Sequence, residues 1–434
     1  MRQKKQSNKT FRGLVLELRP DDNQKVLLSK HLDDCRFIYN QYVEEYLKAL
    51  KEDRIPNYKD YKSIRALHEF LKGSYSWTLQ QVLYKFKQVN KINRSKRSKD
   101  QKVGLIRFRS KKAHKDYFYS NDIKLSYSSD CKSESYVKIP KVGKVQFRCK
   151  NIKSELLNGK IKSATIKRTK TGVYKISLLI EINKIHEDRK DNKHIGLDFS
   201  LRDFFVDSFG AKAPEFSTKR SKMESLQEKI DSLNTAISGM RNKSKKKRKI
   251  SVKLYRLTIK RNKLYERVHN VQVDYINKLS RSLCQHNELI VLENLNLTNM
   301  AEHTSYKDSK TSSKGGNHGK SVSLLQWSYF CKKLEENSEK FGNIIVLADK
   351  FFPSSQICSK CGKIHSEMKD VTNRTLKCNC GNIIDRDYNS AINLLKAGEY
   401  YFQNKTLGKE LSEYKAFKCL DFSRSKALKL ELSI

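Results

Sequence analysis

Four cysteines stand close together late in the chain, Cys358, Cys361, Cys378 and Cys380, in the spacing C-x2-C-x16-C-x-C, and glycine follows each pair at Gly362 and Gly381. Two thiolates from each of two tight turns close a tetrahedral Zn²⁺ site, and glycine after the second ligand lets each turn bend back on the metal. The pattern is that of a zinc ribbon. Its second pair, CNC, is one residue shorter than the commoner C-x2-C, which tightens that turn. The remaining six of the ten cysteines, Cys35, Cys131, Cys149, Cys284, Cys331 and Cys419, are scattered. Cys35 and Cys331 fall at apolar-face positions, as small buried hydrophobes do. Five and seven residues beyond the last ribbon cysteine come Asp385 and Asp387, in DRDYNSA. Two further acids are conspicuous by their neighbours: Asp198 inside the apolar HIGLDFSLRDFFVDSFG and Glu293 at the end of the run in NELIVLENLNL. A charge in a core strand costs on the order of several kcal/mol unless a cation or a hydrogen-bond donor meets it.

The elements that must carry these groups are readable from periodicity. GLVLELRP alternates like a strand and stops at a proline. DDNQKVLLSKHLDDCRFIYNQYVEEYLKAL then has acidic caps and apolar residues at helical spacing, opening a helical segment that runs to about residue 98. From residue 107 to 183 short alternating runs predict a β-rich module with a hairpin turn at Thr171-Gly172, which the N-terminal strand joins. Its outward positions are lysine and arginine, as a surface holding a phosphate backbone needs. Asp198 lies on a strand followed by a short turn and a second strand. Met223, Leu226, Ile230, Leu233, Ile237 and Met240 step by three and four, and Leu254 to Tyr275 continue the pattern, so residues 218–285 read as a helical hairpin. The basic run Lys243 to Lys249 at its tip is either a phosphate contact or a solvated turn. Residues 301–323, rich in Ser, Gly and Lys, read as a loop, in which His303 and His318 have no partner at ligand spacing. After it come an amphipathic helix, the strand GNIIVLAD, the ribbon, and a helix opened by Asp387.

Composition bounds the chemistry. With 434 residues, 37% of them hydrophobic, and only 5 prolines, the chain is long and apolar enough for two or three packed domains. Ninety Lys and Arg against 47 Asp and Glu give a formal charge of +43, the electrostatic footprint of phosphate binding, so nucleic acid is the expected partner. The opening MRQKKQSNKTFRG lacks an apolar core of signal-peptide length, and no stretch approaches the roughly 18 apolar residues of a membrane span. These features predict a soluble, cytoplasmic protein with no membrane partner, whose clustered cysteines point to metal rather than to disulfides.

Asp198, Glu293 and Asp387 thus fall on strand, strand and helix start, 95 and 94 residues apart, and meet only through the fold. That is the order of acids in a ribonuclease-H-like nuclease, where they hold two Mg²⁺ ions. Phosphodiester hydrolysis needs charge stabilisation on both the attacking water and the leaving oxygen, which two cations about 3.5–4 Å apart supply. Carboxylates are the hard oxygen ligands that Mg²⁺ takes, and they tolerate one another when cations compensate them.

GLDFSLRDFFV, IVLENLNL, FPSSQICSKCG, NRTLKCNCG and DRDYNSAINL, in that order, resemble the RuvC and zinc-ribbon blocks of the TnpB family, transposon-encoded RNA-guided DNA nucleases related to miniature type V CRISPR effectors. FRGLVLELRP, CRFIYNQY, LQQVL and YVKIPKVGKVQF resemble its wedge and recognition segments. The resemblance implies a multidomain α+β architecture: a β-barrel wedge module (1–20 and 100–185), a helical recognition module (21–99), a ribonuclease-H-like RuvC nuclease domain (186–356 and 385–400), an inserted zinc ribbon (357–384) and a C-terminal tail (401–434). It implies a guide RNA and double-stranded target DNA cut beside a short motif in a prokaryotic host; the oligomeric state stays open, with a monomer favoured. By similarity Arg374 reaches the scissile phosphate and Gln80 faces the DNA motif. Ser200 stands where the family commonly has glycine after the first acid, a departure that removes no ligand. Two other readings share parts of this pattern: a nuclease-inactive RNA-guided repressor, from which loss of an acid is expected, and a protein-only zinc-ribbon DNA-binding or recombination factor.

Overall fold

The computed structural model describes residues 9–99, 101, 103–111, 116–128, 135–148, 152–184, 186–244, 251–295, 324–348, 352–406 and 418–419, which fall into two compact units, Met1–Lys184 and Ile185–Ile434. The loop at 301–323 with His303 and His318, Cys131, Cys149, most of the basic run after Lys243 and nearly all of the tail beyond residue 406 lie outside the described residues.

The first unit is a curved antiparallel sheet with helices. Its elements are β1 (Lys9–Arg19), α1 (Asp22–Lys51), α2 (Tyr61–Leu67), α3 (Ser76–Arg97), β2 (Tyr117–Ser120), β3 (Lys124–Ser126), β4 (Tyr136–Ile139), β5 (Gly143–Arg148), α4 (Ser154–Leu157), β6 (Lys160–Arg168) and β7 (Tyr174–Asn183). The sheet runs β2-β6-β7-β1-β5-β4-β3, a half-barrel in which β1 lies between β7 and β5. Alternation sets its inner face, Leu16 and Leu18 on β1 and Ile176, Leu178 and Ile180 on β7. The outer face is not purely cationic. Phe11, Val15 and Leu179 are exposed there, and Glu181 pairs with Lys9 and Lys162. Proline at 20 ends β1, and Asp21 and Gln24 form a capping box that starts α1. Its buried stripe, Leu28, Leu32, Cys35, Ile38, Tyr42 and Tyr46, includes one of the scattered cysteines. The helix is interrupted before α2 and again before α3, so the helical segment consists of the three α-helices α1, α2 and α3.

The second unit holds β8 (Lys193–Ser200), β9 (Phe204–Asp207), α5 (Phe216–Ser244), α6 (Val252–His286), β10 (Asn287–Glu293), α7 (Trp327–Phe341), β11 (Ile344–Ala348), β12 (Thr375–Lys377), β13 (Ile383–Asp385), α8 (Arg386–Thr406) and β14 (Lys418–Cys419). The main sheet has the order β14-β11-β10-β8-β9, parallel except for the β8–β9 hairpin. Buried on both faces, its central strands read as continuous apolar runs. Ile195, Leu197, Ile290, Leu292 and Ile345 pack with residues of α5, α6 and α7, whereas Leu289, Val291, Val346 and Ala348 pack with Leu394 and Ala397 of α8. Two glycines let α8 lie directly on the sheet. A Cβ on Gly196 would come within 2.3 Å of the Ala391 carbonyl oxygen, and one on Gly398 within 2.1 Å of Val291 Cγ2. At the β8–β9 turn Phe204 has φ of +72°, a left-handed conformation rare for an aromatic, held by contacts with Phe216, Tyr275, Trp327 and Phe330. Ser200 has a task in that turn: its Oγ accepts the Asp203 N–H at 3.2 Å.

Candidate active site and metal centre

Strand register brings the first two acids together. The parallel pairing of β8 and β10 runs to Leu197 opposite Leu292, and the next residue on each strand is Asp198 and Glu293. Leu197 and Leu292 belong to the core with α5, α6 and α7, so by the two-residue alternation of strands the acids turn to the other face, where α8 lies. Asp387 sits in the first turn of α8, and Ser390, one turn on, donates to Asp198 Oδ1 at 2.7 Å. The three acids therefore share one end of the sheet, on the side that α8 covers.

Their electrostatics follow from this placement. Asp198, 8% exposed, holds its proton well above the usual aspartate range, because burial disfavours the charge and the Glu293 and Asp387 carboxylates repel it, against the Ser390 hydrogen bond. Burial also raises Glu293. Asp387 is raised by burial and by Asp385, against the opposing pull of Arg374 and Arg386. Arg386 is a cation common to all three. It is fixed by donating to the Asp370 carbonyl at 2.9 Å and to Ser355 Oγ at 3.4 Å. Three acids that burial disfavours as anions, one of them also repelled by the other two, are stable as anions when cations join them, which suits hard divalent ions.

The two aspartates of DRD divide the work. Asp385 is exposed and caps α8, its Oδ1 accepting the N–H groups of Asp387 at 2.9 Å and Tyr388 at 3.1 Å. Asp387 faces the cluster and accepts from Arg374 Nη2 at 2.9 Å. The Arg374 side chain remains 57% exposed. Gln80 lies on α3 in the first unit, exposed to solvent.

The four paired cysteines converge, with Cys358 Sγ 3.7 Å from Cys380 Sγ, Cys361 Sγ 3.5 Å from Cys378 Sγ, and all four sulfurs within 4.8 Å of one another. Sulfurs held about 2.3 Å from one tetrahedral centre lie roughly 3.8 Å apart, so the set is compatible with a structural zinc ion. Burial pushes the Cys358 thiol up, yet Asn382 Nδ2 and the backbone N–H groups of Cys361 and Lys360 bring it down to about 6, which favours the thiolate that zinc requires. Among the described residues this is the one group of three or more His, Cys, Asp or Glu whose atoms cluster so tightly. Cys284 is fully buried and Cys331 half-buried, away from any such set.

Sequence reasoning missed the polar groups that tie ribbon to helix. Asn389 and Asn393, both fully buried on α8, donate to the Ile357 carbonyl at 2.7 Å each. Asn393 also donates to the Ser354 carbonyl at 2.8 Å, and Ser359 N–H donates to Asn389 Oδ1 at 2.9 Å. The available signal was two asparagines four residues apart on an otherwise apolar helix face. On α6, Lys253, Arg256, Lys260, Lys263 and Arg267 step by three and four along one exposed stripe, and none is ion-paired among the described residues.

Residues 12–54 match a family described as a helix-turn-helix domain, residues 177–304 one described as a probable transposase, and residues 327–394 the Cas12f1-like TNB domain. In the structure, residues 12–54 contain β1 and the single long helix α1. A curated protein of Streptomyces pristinaespiralis described as an RNA-guided DNA endonuclease is 29% identical over 136 residues, 31% of this chain and 31% of its own length. A transposase of Acanthamoeba polyphaga mimivirus is 30% identical over 95 residues, 21% of this chain and 19% of its own. The chain thus matches a third or less of each of these relatives. Among solved structures, the cryo-EM Cas12f1–sgRNA–target DNA complex aligns with 89% of this chain and 99% of its own at 14% identity and a TM-score of 0.48. A CRISPR-Cas12f ternary complex covers 86% of this chain and 81% of its own at 14% identity and a TM-score of 0.29. The three matched segments lie in succession between residues 12 and 394. The chain is a TnpB-like protein.

Proposed function

We propose that this TnpB-like protein is an RNA-guided DNA endonuclease whose ribonuclease-H-like RuvC domain, residues 186–356 and 385–400, hydrolyses phosphodiesters with two Mg²⁺ ions, and that residues 357–384 form a zinc ribbon inserted in it. The observation that carries the reading is the arrival of Asp198, Glu293 and Asp387 from β8, β10 and α8 on one face of the sheet. Bound there, divalent cations supply charge stabilisation to the attacking water and the leaving oxygen. Asp198, Glu293 and Asp387 hold those ions, and Arg386 offsets the negative charge of the set. Arg374, largely exposed and already beside Asp387, is placed to reach a phosphate. Residues 1–20 with 100–185 act as a wedge and 21–99 as a recognition module, with Gln80 facing the DNA motif, and the guide RNA and the target duplex answer the +43 charge. Such a protein acts on double-stranded DNA in a prokaryotic cytoplasm.

The test is the guide-loaded protein with Glu293→Ala or Asp198→Ala. Cleavage should fall more than about a hundredfold, roughly 2.7 kcal/mol of transition-state stabilisation, while guided DNA binding persists. Near-normal cutting by either variant would move the active site elsewhere. A protein that purifies free of RNA at low salt and still cuts DNA would remove the guide.

A further inference from the structure

Asp198 has a dedicated hydrogen-bond donor that the three-acid reading does not include. Ser390 Oγ lies 2.7 Å from Asp198 Oδ1 and 2.8 Å from Ser354 Oγ, and Ser390 is 1% exposed. A serine hydroxyl has one hydrogen, and an ionised carboxylate only accepts. The single Ser390 hydrogen therefore has two acceptors within reach, Asp198 Oδ1 and Ser354 Oγ. A charged Asp198 draws it to Oδ1, because a hydrogen bond to a carboxylate is the stronger of the two. The Ser354 backbone is held in place, its N–H donating to the Phe352 carbonyl at 2.8 Å and its carbonyl accepting from Asn393 at 2.8 Å. Ser390 also follows Asp387 by three residues, so one turn of α8 carries the last acid and the donor that fixes the first.

We infer that Ser390 is a positioning residue for divalent-cation binding: it engages Asp198 Oδ1 and leaves Oδ2 as the oxygen offered to the ion. This rests on the proposed role of Asp198 as a cation ligand. Magnesium demands near-ideal octahedral geometry at about 2.0–2.1 Å, so the rotation of a ligating carboxylate matters to affinity. Hydrogen-bond partners behind metal ligands are worth about 10–100-fold in affinity where they have been removed.

The full-length protein is titrated with Mn²⁺, followed by electron paramagnetic resonance, and in parallel the Mg²⁺ concentration giving half-maximal cleavage is measured on the guide-loaded protein. Ser390→Ala should weaken Mn²⁺ binding about 10–100-fold and raise the half-saturating Mg²⁺ by a similar factor, with a smaller loss of the rate at saturating Mg²⁺. Ser354→Ala, which removes the competing acceptor and leaves the donor on Asp198, should bind Mn²⁺ at least as tightly as the wild type, and a loss as large as that of Ser390→Ala overturns the inference. Ser390→Ala with wild-type Mn²⁺ affinity and an unchanged Mg²⁺ requirement overturns the inference. So does a loss of maximal rate with the metal requirement unmoved, which is what a merely structural role would produce. Asp198→Asn separates the layers. If it too binds Mn²⁺ as the wild type does, the reading of Asp198 as a ligand fails; if it alone loses the ion, only the role of Ser390 fails.

Discussion

Asp385 and Asp387 stand two residues apart, and the structure predicts that losing one costs stability while losing the other costs turnover. Asp385 spends its carboxylate on the two N–H groups at the start of α8. Replacing such a cap by alanine costs about 1 kcal/mol, and by asparagine, itself a good cap, only a few tenths. Against a total stability of roughly 5–15 kcal/mol the fold survives. A unit of this size should lose about 2–4 °C in Tm for Asp385→Ala and keep most of its cleavage rate. Asp387 presents the opposite balance. Its carboxylate is raised by burial and adds to the repulsion on Asp198, and its pair with the exposed Arg374 is of the kind worth at most about 1 kcal/mol. Asp387→Asn should therefore move Tm little while cleavage drops by more than about a hundredfold. Single-turnover cleavage of labelled DNA at saturating Mg²⁺, beside calorimetry of the same preparations, measures both quantities. Asparagine at 385 proving more damaging to cleavage than asparagine at 387, or Asp387→Asn costing more Tm than Asp385→Ala, would refute the division of labour.

Three further outcomes are expected. Cys358→Ser or Cys378→Ser should release zinc and weaken cleavage through the start of α8, since structural zinc contributes on the order of 10 kcal/mol to small modules; metal analysis finding no zinc in the wild type would sink this. Replacing Lys253, Arg256, Lys260, Lys263 and Arg267 together by glutamine should flatten the slope of log affinity for nucleic acid against log salt by up to about 4.5, at roughly 0.9 per duplex phosphate contact, and an unchanged slope would clear the stripe of phosphate contacts. Finally, Asp198 and Glu293 titrate above their ordinary values of 3.8 and 4.5 because burial disfavours their charge, so above those values the native state binds more protons than the unfolded chain. Stability of chelator-treated protein should then fall as pH rises through that window, and Asp198→Asn should flatten the fall; an identical pH profile for that variant would contradict it.

What was legible in the sequence had a short period or a fixed ligand spacing. The run around Ile290 and Val291 gave the strand, and the stepping of Met223, Ile230 and Ile237 gave a helix whose buried stripe they form. The four cysteines announced their own clustering. Asp198 and Glu293 stood out because charge in an apolar run is costly, but their meeting depends on parallel register between strands almost a hundred residues apart, which no local pattern encodes. Arg386, Ser390, Asn389 and Asn393 were illegible for a related reason. Each is an ordinary polar residue in a helix start until the partner chain segment is known, and those partners lie 16 to 192 residues away. The left-handed turn at Phe204 was hidden as well, since aromatic residues carry no preference for it and tertiary packing alone holds it.

These same contacts explain why a cysteine cluster runs straight into an acidic motif. The Arg386 N–H donates to the Arg374 carbonyl at 2.8 Å, the Arg386 side chain to the Asp370 carbonyl, and β12 pairs with β13 so that Thr375 lies opposite Asp385. On the other side, Asn389 and Asn393 bind the Ser354–Ser359 segment that leads into the first cysteine pair. The segments leading into the first and the second cysteine pair are thus both bonded to the first two turns of α8, which carry Asp387 and Ser390. A metal closing the cysteine cluster would fix the relative positions of those segments, and through them the angle at which α8 meets β8. A loosened ribbon would be felt at Asp387 and at Asp198 alike, although no cysteine touches either, and the small Gly196 and Gly398 contacts leave α8 little room to compensate by shifting on the sheet.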